Sequence, residues 1–222
     1  VYTGNNTNGR TITTGIDLDE NEGLVWTKVR KGVTDSHVLI DTVRGATKML
    51  STNTDDDVDV LSSSISAFTS TGYTVGAATV TNGLSSYEYV SWTFRKTPGF
   101  FDIVTWTGDG TSARTISHGL DSQIGFIAVK RLDTDSDWLC QWGTSNDHYY
   151  KLNSNVARTG YGGFWGASSF TPTQFKIAGQ TSEPNVSGGT YVAYLWGSGG
   201  AAVGYGEGGG KVFGADGDED II

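Results

Sequence analysis

The sequence predicts an all-β protein: two tandem antiparallel β-sandwich modules of jelly-roll or lectin-like type, followed by a glycine-rich C-terminal link. One observation is a pattern that occurs twice. Tyr2-Thr3-Gly4, with Gly9-Arg10-Thr11-Ile12 and Gly15, returns 104 residues later as Trp106-Thr107-Gly108, with Ala113-Arg114-Thr115-Ile116 and Gly119. Gly23-Leu24-Val25 with Lys28 matches Gly125-Phe126-Ile127 with Lys130 at a shift of 102. Phe68 with Tyr73 and Tyr89-Val90-Ser91-Trp92 match Phe170 with Phe175 and Tyr191-Val192-Ala193-Tyr194 at that same shift of 102. Tandem units of this kind more often bind or build than catalyse. A second observation is composition: Thr, Ser, Val, Tyr and Trp dominate the patterned stretches and suit pleated, half-buried surfaces. A third is punctuation: Thr71-Gly72, Asn82-Gly83, Asp109-Gly110 and Gly188-Gly189 separate short, evenly spaced runs, as in sandwiches.

The elements follow in order. Each unit opens with a Thr-rich alternating run, residues 10–14 or 114–117, that stops at glycine. Residues 24–29 or 126–130 are apolar on both parities, which predicts a central strand facing a second sheet. Val38-Leu39-Ile40 or Trp138-Leu139-Cys140 is the third strand, and residues 72–75 or 174–177 the fourth. The longest alternating run, residues 87–94 or 190–196, closes the unit. One helical turn is expected within residues 41–51, where Thr42, Val43, Ala46 and Leu50 have roughly 3.6 spacing, although Gly45 opposes it. Residues 51–66, with Asp55-Asp56-Asp57 and Asp59, read as a solvated acidic loop. The units are placed at residues 1–96 and 97–197, with residues 198–222 as a glycine-rich linker into a further repeat.

Charge and composition exclude several functions. The net charge of −9 argues against nucleic acid, whose phosphates need clustered Lys and Arg. No apolar run is long enough for a membrane span, and no basic amphipathic stretch suggests a membrane surface. The single cysteine, Cys140, allows no internal disulfide and reads as a small packed hydrophobe. The second unit is led in by Asp102-Ile103-Val104, and the chain closes on Asp220-Ile221-Ile222, so Val1-Tyr2 is what should follow an Asp-Ile-Ile. Two readings fit: a piece of a longer array of units, or a mature chain processed at these points.

The unit resembles a repeat found in predicted tail fibres and other virion proteins of marine bacteriophages. The resemblance rests on Tyr2 to Asn5 with Arg10-Thr11-Ile12, the strand ending in Lys28, Phe68 with Tyr73, and Asn82 with Tyr89 to Trp92. The second unit carries it in Trp106 to Asp109, Arg114 to Ile116, the strand ending in Lys130, Trp138, Phe170 with Phe175, and Asn185 with Tyr191 to Tyr194. It covers essentially the whole chain and implies a virion-attached, extracellular, non-enzymatic β-protein of a tail fibre or appendage that contributes to host-surface adhesion. Its implied partners are other copies of itself, a trimer being the expectation that fibres bring, other virion proteins, and a host-surface glycan. The family carries no catalytic residues to transfer.

The candidate site residues differ in their chemistry. Arg10 and Arg114 occupy one place in both units and read as edge-strand arginines whose heads meet a carboxylate, or as inter-subunit contacts; Lys28 and Lys130 read alike. His37, His118 and His148 are scattered, without the converging ligands that zinc needs. No cofactor is expected, calcium being the one candidate ion. Asp133, Asp135 and Asp137, and Asp216, Asp218 and Asp220, begin like calcium loops. Trp138 and Thr144, or Ile221, stand where helix–loop–helix sites need glycine or an acid, which leaves only sandwich-loop calcium. Glu88 has Thr190 as its counterpart, so no paired carboxylates are built twice. The binding candidates are aromatics special to the second unit: Trp142, His148, Tyr149, Tyr150, Tyr161 and Trp165. Flat rings stack on sugars, and the competing reading has them fill a core or interface. The glycine-rich stretch 160–166 is the expected exposed contact. A free-standing carbohydrate-binding module of a bacterial surface protein is the rival function, and a polysaccharide-degrading sandwich enzyme a third.

Overall fold

The computed structural model describes residues 1–111, 113–142, 148–156, 159–160, 165–177 and 184–198. They form two compact units, Val1–Arg95 and a second beginning at Lys96. Unit 1 contains β1 (Tyr2–Thr3), β2 (Arg10–Thr13), β3 (Gly23–Lys31), β4 (Val38–Asp41), β5 (Lys48–Ser51), β6 (Asp59–Val60), β7 (Ile65–Thr69), β8 (Gly72–Val75) and β9 (Glu88–Arg95). A single helical turn, α1 (Thr79–Asn82), precedes β9. Unit 2 contains β10 (Phe101–Thr107), β11 (Arg114–Ser117), β12 (Ile124–Arg131), β13 (Leu139–Trp142), β14 (His148–Lys151), β15 (Thr159–Gly160), β16 (Trp165–Phe170), β17 (Gln174–Ile177) and β18 (Thr190–Gly197).

The two units have one topology. In unit 1 a six-stranded sheet runs β1-β9-β3-β4-β5-β6 and a three-stranded sheet runs β2-β8-β7. In unit 2 the orders are β10-β18-β12-β13-β14-β15 and β11-β17-β16, so each strand has its counterpart nine places on. All pairs are antiparallel, and the fold is an all-β sandwich. Each core draws on both sheets. Val25, Val38 and Ile40 of unit 1 meet Ile12, Tyr73 and Val75, and Ile127, Leu139 and Leu195 of unit 2 meet Ile116, Phe175 and Ile177. Strand alternation assigns the other parity to the outer face.

No helix forms within residues 41–51. Asp41 ends β4, and its carboxylate accepts the Arg44 N–H at 2.8 Å and pairs with the Arg44 Nε at 2.5 Å, both groups buried. Gly45 and Thr47 then take left-handed φ values of 97° and 72°, which no helix continues through, and the chain enters β5. The acidic stretch is also not all loop, since it holds the short β6 and the start of β7.

The repeated signature residues form a stitch between the first and last strands of each unit. In unit 1 the buried Asn82 donates through Nδ2 to Asn5 Oδ1 (2.9 Å), Thr7 O (2.9 Å) and Gly76 O (3.0 Å). Its Oδ1 accepts from Asn5 N (3.1 Å) and Arg10 Nη1 (3.2 Å), and Arg10 also donates to the Thr3 carbonyl. In unit 2 Asn185 donates to Asp109 Oδ1 (2.8 Å) and Thr111 O (2.9 Å), and accepts from Asp109 N (3.1 Å) and Arg114 Nη1 (3.3 Å). Bonds from the Thr111 amide and then Asn185 hold the Asp109 carboxyl down to about 2. A Cβ at Gly4 would collide with the Gly83 carbonyl, and one at Gly108 with that of Val186, so neither stitch closes over another residue.

An aromatic pair backs each stitch. Tyr2 stacks on Tyr89 (5.2 Å, 13°) and donates its hydroxyl to Thr81 O, while Trp106 stacks on Tyr191 (5.3 Å, 15°) and donates Nε1 to Pro184 O. Tyr and Trp interchange here because each offers a flat face and one polar tip. The two repeated arginines divide on the expected carboxylate contact. Arg114 does meet Asp109, at 3.5 Å, but Asn5 in the equivalent place is neutral, and the Arg10 head serves carbonyl and amide oxygens. Lys28 and Lys130 are held by main-chain oxygens. They close turns by donating to the carbonyls of Asp35 (2.7 Å) and Ser136 (2.5 Å), Lys130 fully buried.

Two predictions follow from these buried polar groups. Asn82→Ala leaves the Thr7 and Gly76 carbonyls and the Arg10 head without their partner, at a cost of about 3 kcal/mol to unit 1. Denaturant unfolding measures this, and a loss within about 0.5 kcal/mol, the scatter of surface substitutions, removes the stitch from the stability account. His118 is buried, accepts the Leu120 amide at Nδ1 (3.2 Å) and stacks on Phe175. Burial holds its pKa below the ordinary 6.5, against the opposing pull of Asp102 and Asp121. The unfolded chain thus takes up the proton first, so this contribution to stability is intact above pH 6.5 and lost as pH falls below it. Thermal midpoints of unit 2 should decline from pH 7 to about pH 5, less steeply in His118→Phe; an undiminished decline places the titration elsewhere.

Candidate functional site

The outer face of the larger sheet in unit 2 carries a row of aromatic rings. Strand register sets Trp142 of β13 opposite Phe126 of β12, Phe126 opposite Trp196 of β18, and Trp196 opposite Phe101 of β10. The ring centroids lie 4.5, 5.3 and 5.0 Å apart in that order. Exposure falls along the row, from Trp142 at 67 % through the half-buried Phe126 and Trp196 to the buried Phe101. Direct cross-strand pairing holds each ring against the next and leaves the Trp142 indole face available at the row's end. Unit 1 has no such row, because the matching register places Asp41, Leu24 and Phe94 together. It instead sets Trp92, 42 % exposed, edge-on to Trp26, whose Nε1 donates to His37 Nδ1 at 3.1 Å.

The structure sorts the sequence candidates. Tyr150 pairs in register with Cys140, two residues from Trp142 on β13, so Tyr150 shares the outer face and is itself exposed. His148 shares that parity on β14 and is half-buried. Tyr149 takes the opposite parity and packs against the core. Trp165 is a correction: it lies on the smaller sheet opposite Ile177, 2 % exposed, with Phe170 and Phe175 against it at 5.3 and 6.4 Å, and it fills the core. Tyr161 lies outside the described residues, as does most of the 160–166 stretch. Phe126 and Trp196 were missed as site residues. Their signal was present, as aromatics on the outward parity of two runs already read as strands, but only register brings them beside Trp142.

The acidic candidates are engaged by the protein's own cations. Arg131 donates to Asp133 through Nε (3.1 Å) and Nη2 (2.8 Å), and the Thr190 amide adds a third bond at 2.8 Å. The Arg131 contact is the main reason the Asp133 carboxyl is held down to about 2. Asp137 accepts from Asn153 (2.8 Å) and pairs with Lys151. Asp135 is exposed, and Asp216, Asp218 and Asp220 lie outside the described residues. Among the described residues no three His, Cys, Asp or Glu side chains converge as metal ligands. Glu88 pairs with Lys31 at 2.9 Å and Arg30 at 3.8 Å. The Cys140 thiol is pushed up to about 12 by burial, which leaves no thiolate for nucleophilic chemistry at neutral pH. With the carboxylates of the Asp133 loop so occupied, the thermal midpoint should be the same in EDTA and in millimolar calcium; a calcium-dependent rise would reinstate the loop as a site.

Among the described residues no helix is long and apolar enough to cross a membrane. No curated protein and no solved structure matches the chain. The profile of a single domain family spans residues 1–210, and so takes in both sandwich units. The chain belongs to that family, DUF7483, a domain of unknown function.

Proposed function

We propose that the chain is a non-enzymatic structural component of a phage particle, part of a tail fibre or appendage, that helps hold the host surface by stacking a glycan on the outer face of unit 2. The row ending in Trp142 carries this reading. An exposed indole, backed by Phe126 and Trp196 and flanked by the exposed Tyr150, offers a flat, rigid platform that costs little entropy to present. The particle itself is supplied by the sequence resemblance, and the duplicated architecture suits a chain that builds length by repetition. Division of labour between the units favours recognition over a purely structural role, since the row occurs in one unit only.

The same row also suits a carbohydrate-binding module of a bacterial extracellular surface protein, and the two readings part on assembly. A fibre component forms a homo-oligomer in solution, whereas a free module is monomeric. Glycan-array binding of the intact chain tests the shared step. Trp142→Ala should weaken binding about tenfold, the scale of one lost aromatic contact, without shifting the thermal midpoint. Trp165→Ala serves as the contrast, because removing a core indole costs about 3–5 kcal/mol and lowers stability first. A folded chain that binds no glycan would leave a spacer whose outer aromatics serve contacts between copies.

A further inference from the structure

The outer face of the larger sheet in unit 1 holds a histidine–indole pair that unit 2 replaces. Trp26 lies in the middle of β3, opposite Leu39 of β4 on one side and Trp92 of β9 on the other. Its Nε1 donates to His37 Nδ1 at 3.1 Å, and the two rings meet edge-on with centroids 5.9 Å apart. Trp92 packs edge-on to the same indole at 6.0 Å and is exposed. His37 stands just before β4, where the Asn53 side chain accepts its amide (2.9 Å) and its carbonyl accepts the Thr52 amide (3.3 Å). The backbone of His37 is thus tied on both sides, while the residue is only half-buried.

Unit 2 keeps this frame and changes the rings. There Asn153 accepts the Trp138 amide (2.9 Å) and the Trp138 carbonyl accepts the Leu152 amide (3.2 Å), so Trp138 takes the place of His37. Ala128, opposite Cys140 and Tyr194, takes the place of Trp26, and Trp138 stacks on Tyr194 at 6.2 Å. Each unit therefore sets one indole against the aromatic residue of its closing strand, from a different position. The frame accepts an apolar ring where unit 1 has His37. What the histidine adds is an acceptor that titrates near neutral pH.

We infer that Trp26 and His37 form a pH-sensitive latch on the outer face of unit 1, closed when His37 is neutral and opened when it is protonated. Nδ1 accepts the indole N–H through a lone pair that only the neutral, Nε2-protonated ring leaves free. A proton on Nδ1 consumes that lone pair and sets two N–H groups head to head at 3.1 Å. It also places an imidazolium near the Lys28 ammonium, which sits two residues beyond Trp26 on β3 and is fixed by the Asp35 carbonyl at 2.7 Å. The loop before β4 carries the Asp35 carboxylate, which accepts the Ser36 amide at 2.9 Å; the turn after β5 brings the neutral Asn53, and β9 brings Trp92. Lys28 is the charge that His37 meets. Burial, and then Lys28, hold the His37 pKa below the ordinary 6.5, so the latch is closed at neutral pH and opens in mild acid. On opening, the imidazole turns away, and Trp26 loses the bond that orients its indole against Trp92. The aromatic face of unit 1 is then ordered or released by the pH of the medium, whereas the four rings of the unit 2 row carry no titratable group.

Proton–nitrogen correlation NMR on the full chain tests this. The Trp26 indole resonance is the one lost in Trp26→Phe, and the His37 ring signals are those lost in His37→Asn. Between about pH 7.5 and about pH 4.5 the Trp26 indole resonance should move from a hydrogen-bonded to a free position, with the midpoint of the His37 ring. That midpoint should lie below 6.5. In His37→Asn, whose side-chain oxygen can stand in for Nδ1 but cannot titrate, the indole resonance should hold its place. The Val25 and Ile40 amides, opposite one another in the β3–β4 ladder, should keep their signals and report that unit 1 stays folded. An indole resonance that stays fixed while His37 titrates overturns the latch, and so does a shift that persists in His37→Asn. A shift that comes only with loss of the Val25 and Ile40 signals also overturns it, because acid unfolding of the unit is then the cause.

Discussion

Each unit depends on a buried asparagine that ties its end to its beginning. A sandwich of short strands leaves its terminal strands with few ladder bonds, and β1 has only two paired residues among those described. The amide of Asn82 or Asn185 supplies what backbone pairing does not, with donors and acceptors placed so that one planar group serves a turn, a carbonyl and an arginine together. In a low-dielectric setting such a group is worth most when every arm is satisfied and costs most when one is lost. That asymmetry explains the spacing of the repeated motif. Aromatic, Thr, Gly, Asn or Asp, then Arg, then Asn some seventy residues later is a list of contacts in one place.

Much of this was legible before the fold was known, for a physical reason. Register and burial impose period-two patterns that survive in β3 and β12, β8 and β17, and β9 and β18, and a duplicated sequence lets each unit check the other. What escaped reading was set by long-range contacts. Asp102-Ile103-Val104 of β10 read only as a lead-in to the second unit; the buried Asp102 finds backbone amides of Gly119 and Ile103 that no local pattern announces. The helical turn expected after Asp41 failed because the Asp41–Arg44 pair closes a tighter turn than spacing alone suggests. General chemistry suggests a carboxylate partner for Arg10, whereas its neutral partner Asn82 lies 72 positions away.

The candidate site shows the same division. Trp142 and Tyr150 are aromatics special to unit 2, and they share an exposed face. The glycine-rich surroundings of Trp165 suggest exposure, but hydrophobic burial against Phe170 and Phe175 outweighs what the neighbours suggest. Divergence between the units reaches both faces of the larger sheet. On the inner face Val25 and Ile127 match, but where unit 1 sets Ile40 and Thr93 beside Val25, unit 2 sets Gln141 and Leu195 beside Ile127. On the outward parity one matching set is an aromatic row in unit 2 and an Asp–Leu–Phe set in unit 1.

The pairing of β10 with β18 has a geometric corollary. Phe101, at the start of β10, stands directly across from Trp196, near the end of β18, which puts their Cα atoms roughly 5 Å apart. A sandwich whose first and last strands start and stop side by side suits a cassette, which can be spliced into a surface turn of a host protein without prying that turn open. Chain length can then grow by insertion as readily as by addition at an end. In evolution or in the laboratory, this architecture permits branching as well as concatenation.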